Sequence, residues 1–543
     1  MRRALLPVLA LLSCQPSETP EDEPSPLLDV DASASWTIPG MTGTAHVMVG
    51  EAGIPQIYAE NRNDLGRVLG FVAARDRYFY MDLARRQALG ELSDLLGADA
   101  LENDQEARGT GMTFIVDRLM GLLDEDPEMK GYFEAYAEGV NAYIEAVRAG
   151  ELAPPTEYDI AFQLLGADSP LDLMKPFDLR AVVGGMTVVL YESGFETKDV
   201  GRTDDFVRAA ALFEGAAEET LRKAGVFTDV WNRVEPVHAV AQAPGWGAAS
   251  SNAAAIPAPP TKLPPASVIG RLRGHLDALE RRLGHDWENG FGSNAWAVAA
   301  SASADGRALI ASDGHLPLSV PPLFYQVGMD TKHLGDGDIE QLGLITPAMP
   351  LLSTGTNGRT AFGQTQLIGD ITDWYLEEIV LDPGTGAPAS SVWQDGTEDL
   401  VAYQESFHIA SVPLLGSQEA DVEITRYTTF DGRWITSIEG REVGGPEDAG
   451  EGETAVNLLG DWVVPGDTDG DGVITGISFD YAGLDLSNMA RVIDDYTRAD
   501  DVAEFEEATS SLVAYSLNLV VADSNGDVLY TGFQAVPCRT YLD

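Results

Sequence analysis

The chain has 543 residues, with 34 Lys and Arg against 86 Asp and Glu, a formal net charge of −52. So large an acidic excess excludes a phosphate-tracking nucleic-acid surface, which needs a basic patch. The 44% of apolar residues, with 9 Trp, 17 Tyr and 18 Phe, fits a solvated acidic surface over a folded core, and two cysteines, Cys14 and Cys538, cannot build a disulfide framework.

Met1-Arg2-Arg3 precedes the apolar run Ala4 to Leu12, a charged segment and a hydrophobic segment too short to span a bilayer, as in a secretion signal. Leu11-Leu12-Ser13-Cys14 resembles a bacterial lipobox, which makes residues 1–13 the signal peptide and Cys14 the acylated N-terminus, anchored by lipid in the periplasm and, with Gln15 next, at the outer membrane. Residues 14–42 begin rich in Pro, Ser and Glu and read as a disordered tether. From Gly43 to about Val230, apolar residues recur at three- and four-residue spacing, most clearly over Asp64 to Leu96 and Lys130 to Val147, which predicts a mainly helical region. Ala241 to Thr261 carries no charge and is dominated by Ala, Pro, Ser and Gly, a linker composition. Leu272, Leu276, Leu279 and Leu283 then share one face of a short helix ending at Gly284. After residue 290 strand patterns alternate with turns, and Asp305-Gly306, Asn357-Gly358 and Asn525-Gly526 mark hairpins.

The common hydrolase signatures are absent: no Gly-x-Ser-x-Gly, no His-Glu-x-x-His, no Cys-x-x-Cys and no phosphate loop. Gly292-Ser293-Asn294 remains, where the helix after the linker gives way to the first strand. A glycine before serine lets the chain bring the hydroxyl onto the preceding carbonyl. An N-to-O acyl shift and hydrolysis would free Ser293 as a new N-terminus, whose amine, with an ordinary pKa of about 7.7 to 8.0, can serve as general base. On spacing alone the tripeptide also reads as a plain turn.

The stretch Phe291-Gly-Ser-Asn-Ala-Trp-Ala-Val298, with Asp305-Gly-Arg-Ala-Leu-Ile-Ala-Ser-Asp-Gly-His-Leu-Pro317, resembles the start of the β chain in the penicillin acylase family of N-terminal nucleophile hydrolases. Gly53 to Ala59, Gly70 to Ser93 and Tyr136 to Tyr143 resemble that family's α chain. The resemblance implies an α+β fold of four αββα layers with a mainly helical α chain. It implies an α chain over 43–235, a spacer over 236–292 and a β chain from Ser293, joined as an α/β heterodimer cut from one precursor at Gly292-Ser293. The family's β chain runs on well past Asp543, so the sequence is expected to be a truncated form. The implied activity is hydrolysis of N-acyl amides, penicillin-like, cephalosporin-like or acyl-homoserine lactones.

Carried over by position, Ser293 is the nucleophile, Asn518 the side-chain oxyanion donor and the Gln366 N–H the backbone donor. His315 stands where cephalosporin and acyl-homoserine-lactone acylases have histidine; hairpin arithmetic with Asp305-Gly306 as the turn pairs Ser293 near residue 318 and sets His315 roughly 10 Å along the ladder. Glu196, Asp370, Asp373 and the Thr372 carbonyl match the family's calcium site, an oxygen set suited to a hard cation. Arg539 matches an arginine that can steady a substrate carboxylate. Asp467-Thr-Asp469-Gly-Asp471-Gly472 resembles the opening of a calcium loop, but Ser478 stands where a bidentate Glu belongs, so it reads as an acidic surface loop. The rival readings are an unprocessed, non-catalytic binding lipoprotein and a calcium-dependent adhesin built on the Asp467 loop.

Overall fold

The computed structural model describes residues 30–50, 52–212, 263–282, 292–316, 320–367 and 369–535, and its architecture is α+β. Cys14, the charge-free stretch 241–261, Leu283, Gly284 and Arg539 lie outside the described residues. An eight-stranded sheet is built from β1 (His46–Val49), β2 (Pro55–Tyr58), β5 (Tyr325–Asp330), β6 (Glu340–Ile345), β7 (Leu352–Thr356), β8 (Thr360–Gln366), β19 (Leu517–Asp523) and β20 (Val528–Thr531), in that spatial order. Only β2 beside β5 is parallel. The intervening β3 (Gly292–Val298) and β4 (Leu309–His315) pair with each other alone. The sequence pattern read residues 43–230 as mostly helical, so β1 and β2 are a correction: four-residue strands are too short to show a period, and their pairing with distant β5 decides their state.

A second sheet, of seven strands, has the order β11-β10-β9-β18-β14-β13-β12. It uses β9 (Thr372–Leu381), β10 (Pro388–Trp393), β11 (Gly396–Asp399), β12 (Val401–Ile409), β13 (Ala420–Thr428), β14 (Trp434–Ile438) and β18 (Ile474–Tyr481). Beside it lies a three-stranded sheet of β15 (Gly440–Val443), β16 (Val456–Leu458) and β17 (Asp461–Pro465). A small core of Ile379, Tyr427, Ile435, Ile438, Val456 and Leu458 unites these two sheets, and the large core runs through the helices and the eight-stranded sheet.

The Arg62–Leu89 helix starts where the Asn61 side chain accepts the Asp64 N–H and ends at Gly90, whose φ of 62° is left-handed. That glycine stops the helix short of Leu96, and Ser93–Leu96 forms a separate turn of helix. The Pro127–Arg148 helix, capped by Asp126, crosses it at two glycines. A Cβ on Gly70 would lie 2.1 Å from the Tyr136 carbonyl oxygen, and one on Gly139 would lie 1.9 Å from that of Arg67. Here the backbones touch, and only glycine fits. The Ala266–Arg282 helix, inside the stretch expected to be a spacer, buries Val268, Ile269, Leu272, Leu276 and Leu279. His275 joins it to the rest through Glu106 Oε1 at 2.8 Å and Asp461 Oδ2 at 3.0 Å.

Alternation along β8 sets the layers. Phe362 packs on Tyr496 and Phe505 of the Met489–Arg498 and Val502–Thr509 helices. Its neighbour Gly363 faces the other way, where a Cβ would strike Ser312 Cβ of β4 at 2.3 Å. Helices therefore cover one face of the sheet, and the β3–β4 hairpin lies on the other.

The three turns differ in detail from their sequence signals. At Asn357 the Asn side chain accepts the N–H groups of Arg359 and Thr360, so the turn is centred one residue late. At Asn525, Gly526 takes φ 97° and the loop has three residues, Ser524 to Gly526, between Asp523 and Asp527. In the β3–β4 hairpin the register is Ser293 with Gly314 and Gly292 with His315, which corrects the pairing of Ser293 near 318. The cause is tertiary: residues Ala300–Ala302 form a 3-10 turn whose Ala300 N–H donates to the Gly526 carbonyl. The connection is thereby lengthened beyond a tight Asp305-Gly306 turn.

Candidate active site

Gly292 and Ser293 open β3, and the Ser293 hydroxyl donates to the Gly292 carbonyl oxygen at 2.6 Å. The hydroxyl thus sits on the peptide unit that an acyl shift would cleave. The corrected register puts His315 opposite Gly292 instead of some 10 Å along the ladder. Its Nε2 lies 3.1 Å from Asn294 Nδ2 and 3.3 Å from Asp313 Oδ2. His315 is half exposed and beside the Gly292-Ser293 peptide, with Asp313 as the nearby acid.

Strands β8 and β19 supply the facing wall. Leu367 donates its N–H to the Ser516 carbonyl at 3.0 Å, so the Leu517–Gln366 pair is a non-hydrogen-bonded position of that ladder. The Gln366 N–H consequently points away from β19. Asn518 pairs with Thr365. Its Nδ2 donates to Thr365 Oγ1 and to the Gln366 carbonyl, both at 3.0 Å, while its Oδ1 accepts the Tyr530 hydroxyl at 2.6 Å. Both amide hydrogens are engaged in this state, so either must leave a present acceptor before it can bind an oxyanion.

A cavity of about 530 Å³ adjoins Ser293 and Gln366. Leu316, Leu323, Phe324, Leu344 and Leu517 make much of its wall apolar, and Tyr80, Glu192, Ser353 and Gln364 add polar groups. Burial pushes the Glu192 carboxyl up to about 8, so at neutral pH it is mostly protonated. No sequence pattern singled out Glu192 or Ser353, since each owes its significance to where tertiary packing leaves it. A larger polar groove of about 920 Å³ lies elsewhere, between the Met489–Arg498 helix and β6. Several of its charges are paired among themselves, as in Arg498 with Asp338 and Arg491 with Glu128.

Of the expected cation ligands, Glu196 and Asp370 come together, and Asp199 joins them; one oxygen from each lies within 4.8 Å of the others. Burial first, then Asp199 and Asp370, push the Glu196 carboxyl up to about 7, against the Lys198 N–H and ammonium, which lower it. Thr372 Oγ1 accepts the Glu196 N–H at 3.2 Å. Asp373 lies across from Asp480 in the β9–β18 ladder and is not one of these three. In the Asp467 loop the surprise is Glu439, buried and far upstream, which approaches Asp467 and Asp469. It accepts the N–H groups of Thr468 and Asp469. Ser478 instead donates to Glu377 at 2.6 Å.

A serine at a strand start thus has its hydroxyl on the preceding carbonyl and faces two strands that offer an outward N–H and an asparagine. The chain belongs to the penicillin amidase family, whose model matches residues 44–543. It is 31% identical to penicillin acylase 2 proenzyme of Pseudomonas sp. (strain SE83) over 356 residues, 65% of this chain and 40% of that protein. It is 26% identical to acyl-homoserine lactone acylase QuiP of Pseudomonas fluorescens (strain Pf0-1) over 388 residues, 69% of this chain and 40% of that protein. The chain thus spans about 40% of the length of these curated relatives. A solved thermostable penicillin G acylase from Alcaligenes faecalis aligns over 39% of this chain and 30% of its own at 19% identity, with a TM-score of 0.27.

Proposed function

We propose that the protein is the precursor of an N-acyl amide hydrolase, cut at Gly292-Ser293, with Ser293 as nucleophile and the four-layer αββα arrangement as its complete fold. The observation that carries this reading is the Ser293 hydroxyl resting on the Gly292 carbonyl at the mouth of a largely apolar cavity. In maturation Ser293 Oγ attacks the Gly292 carbonyl carbon, the Ser293 nitrogen leaves as an amine, and water hydrolyses the resulting ester. In turnover Oγ attacks the substrate amide carbonyl while the α-amine takes its proton and passes it to the departing amine. The Gln366 N–H and Asn518 Nδ2, once Nδ2 exchanges a present acceptor for the oxyanion, stabilise the tetrahedral intermediate. His315 stands beside the cleaved bond and orients Asn294 and Ser293. Water then hydrolyses the acyl ester.

Calcium is part of the proposal, held by Glu196, Asp199 and Asp370, where it neutralises three gathered carboxylates and ties the helical region to β9. Anchoring by lipid at Cys14, facing the periplasm, completes it; a mature protein beginning elsewhere in its host would overturn that element. Mass spectrometry of protein produced from the whole gene, followed by assay on penicillins, cephalosporins and acyl-homoserine lactones, tests the main reading. A β chain beginning at Ser293 with amide hydrolysis supports it, and one uncut inactive polypeptide refutes it in favour of a binding protein.

A further inference from the structure

A segment that is to be discarded can leave without unfolding the rest only if it lies on the surface. The Ala266–Arg282 helix, inside the stretch expected to be a spacer, does not. It packs against the Lys198–Leu212 and Leu101–Gly109 helices and against β14 and β18. Its buried Val268, Ile269, Leu272, Leu276 and Leu279 belong to one core with Val200 and Val207 of the Lys198–Leu212 helix, Trp434 of β14, and Ile477 and Phe479 of β18. Polar contacts reinforce the apolar ones. The buried Ser437 hydroxyl donates to the Val268 carbonyl at 3.0 Å, and the Arg271 guanidinium donates to the Ile438 carbonyl at 2.6 Å and to Glu442 at 2.9 Å.

The helix is also basic where the chain is acidic. Arg271, Arg273, Arg281 and Arg282 outnumber Asp277 and Glu280, and its cations meet acids of the body. Arg273 pairs with Asp204 at 2.9 Å and with Asp205, and Arg282 pairs with Glu106, which also faces His275. Removing the helix would open an apolar trough to water. It would also take from Glu106, Asp204 and Glu442 the cations they now face, in a chain whose net charge of −52 already repels itself.

We infer that the Ala266–Arg282 helix is kept in the mature protein as the last helix of the α chain, and that any peptide excised leaves residues 263–282 in place. This rests on the reading of Gly292-Ser293 as the cleaved bond, and it moves the end of the α chain from 235, as the family resemblance implied, to beyond Arg282. The last residue of the helix, Arg282, lines the cavity beside Ser293, so the retained helix remains part of the wall of the candidate site.

The test uses protein from the whole gene with a site-specific protease sequence inserted into the charge-free stretch 241–261. Cleavage there and at Gly292-Ser293 cuts the helix from both neighbours, so that packing alone holds it. The fragment should elute with the α and β chains on size exclusion, one copy for each β chain. Without the inserted sequence, intact-mass analysis should give an α chain that ends after Arg282. A folded α/β protein that has shed the fragment, or a mature α chain that ends before Ala266 with no companion fragment, overturns this inference alone. A polypeptide left uncut at Gly292-Ser293 overturns the cleavage reading and the inference with it.

Discussion

Strands β8 and β19 and the hairpin β3–β4 face each other across the candidate site, yet the two walls are held in different ways. β19 is buried along nearly its whole length, and β8 is clamped between the helices on Phe362 and the hairpin on Gly363. The hairpin carries Ser293 but pairs only with itself, and its Trp296 and Leu309 are 55% and 50% exposed. Gln366 and Asn518, the proposed oxyanion donors, therefore belong to a wall fixed by core packing. Ser293, the proposed nucleophile, belongs to one placed by its register, by the Ala300 N–H on Gly526 and by the close approach at Gly363. The proposed mechanism thus assigns preorganisation and the reacting hydroxyl to different layers.

The largest effect should come from the hairpin wall. Ser293→Ala in the full-length protein should abolish both cleavage and hydrolysis, because the hydroxyl is the attacking atom in each; intact-mass analysis and an amide assay read the two losses. Full hydrolysis by an uncut Ser293→Ala protein would remove the mechanism. On the opposite wall, Asn518→Ala should leave cleavage largely intact and lower kcat by ~10²- to 10³-fold, the range for one oxyanion donor. If cleavage fails as completely as turnover, Asn518 acts through folding, since its amide also ties β8 to β19.

The contrast also predicts stability. Phe362→Ala should cost about 3–5 kcal/mol in chemical denaturation, as for a buried aromatic, whereas Trp296→Ala should stay within about 1 kcal/mol. Similar losses would mean that the hairpin is as firmly packed as the sheet. A smaller effect is expected from chelation, which should lower the melting temperature by removing about 2.7 kcal/mol where calcium stands a hundredfold above its Kd. Asp199→Asn should remove that dependence and Asp373→Asn should not, and the reverse result would restore the ligand set drawn from the family resemblance.

The same contrast explains what could be read from the sequence. Periodicity located the two long helices, and Gly90 set where the first ends. The motif residues Gly70 and Gly139 proved to be the points where those helices touch. Turn signals marked all three hairpins, but the β3–β4 register depends on Ala300 meeting Gly526, a contact between segments far apart in the chain. The tight-turn arithmetic therefore placed His315 wrongly, along the ladder instead of opposite Gly292. Asp199, Glu192, Glu439 and Ser353 carried no local signal: an acid or a serine looks alike in sequence whether solvated or buried.

A last expected effect concerns the pH dependence of the cavity wall. Burial raises the folded-state pKa of Glu192 to about 8, above the ordinary value of about 4.3 for an unfolded chain. Below the unfolded value both states are protonated and the group contributes nothing to the pH slope. Between the two values the unfolded chain releases the proton while the folded protein retains it, so rising pH favours unfolding. Above the folded value both are ionised and the slope vanishes. Glu192→Gln keeps the shape and a hydrogen-bonding amide but cannot ionise, so its melting temperature relative to wild type should climb as pH rises from about 5 to about 8 and then level. Taking the difference between the two proteins cancels the acidic surface common to both. A difference that stays flat across this window would place the Glu192 carboxyl in contact with water, and the wall that bears it would then be no drier than the hairpin it faces.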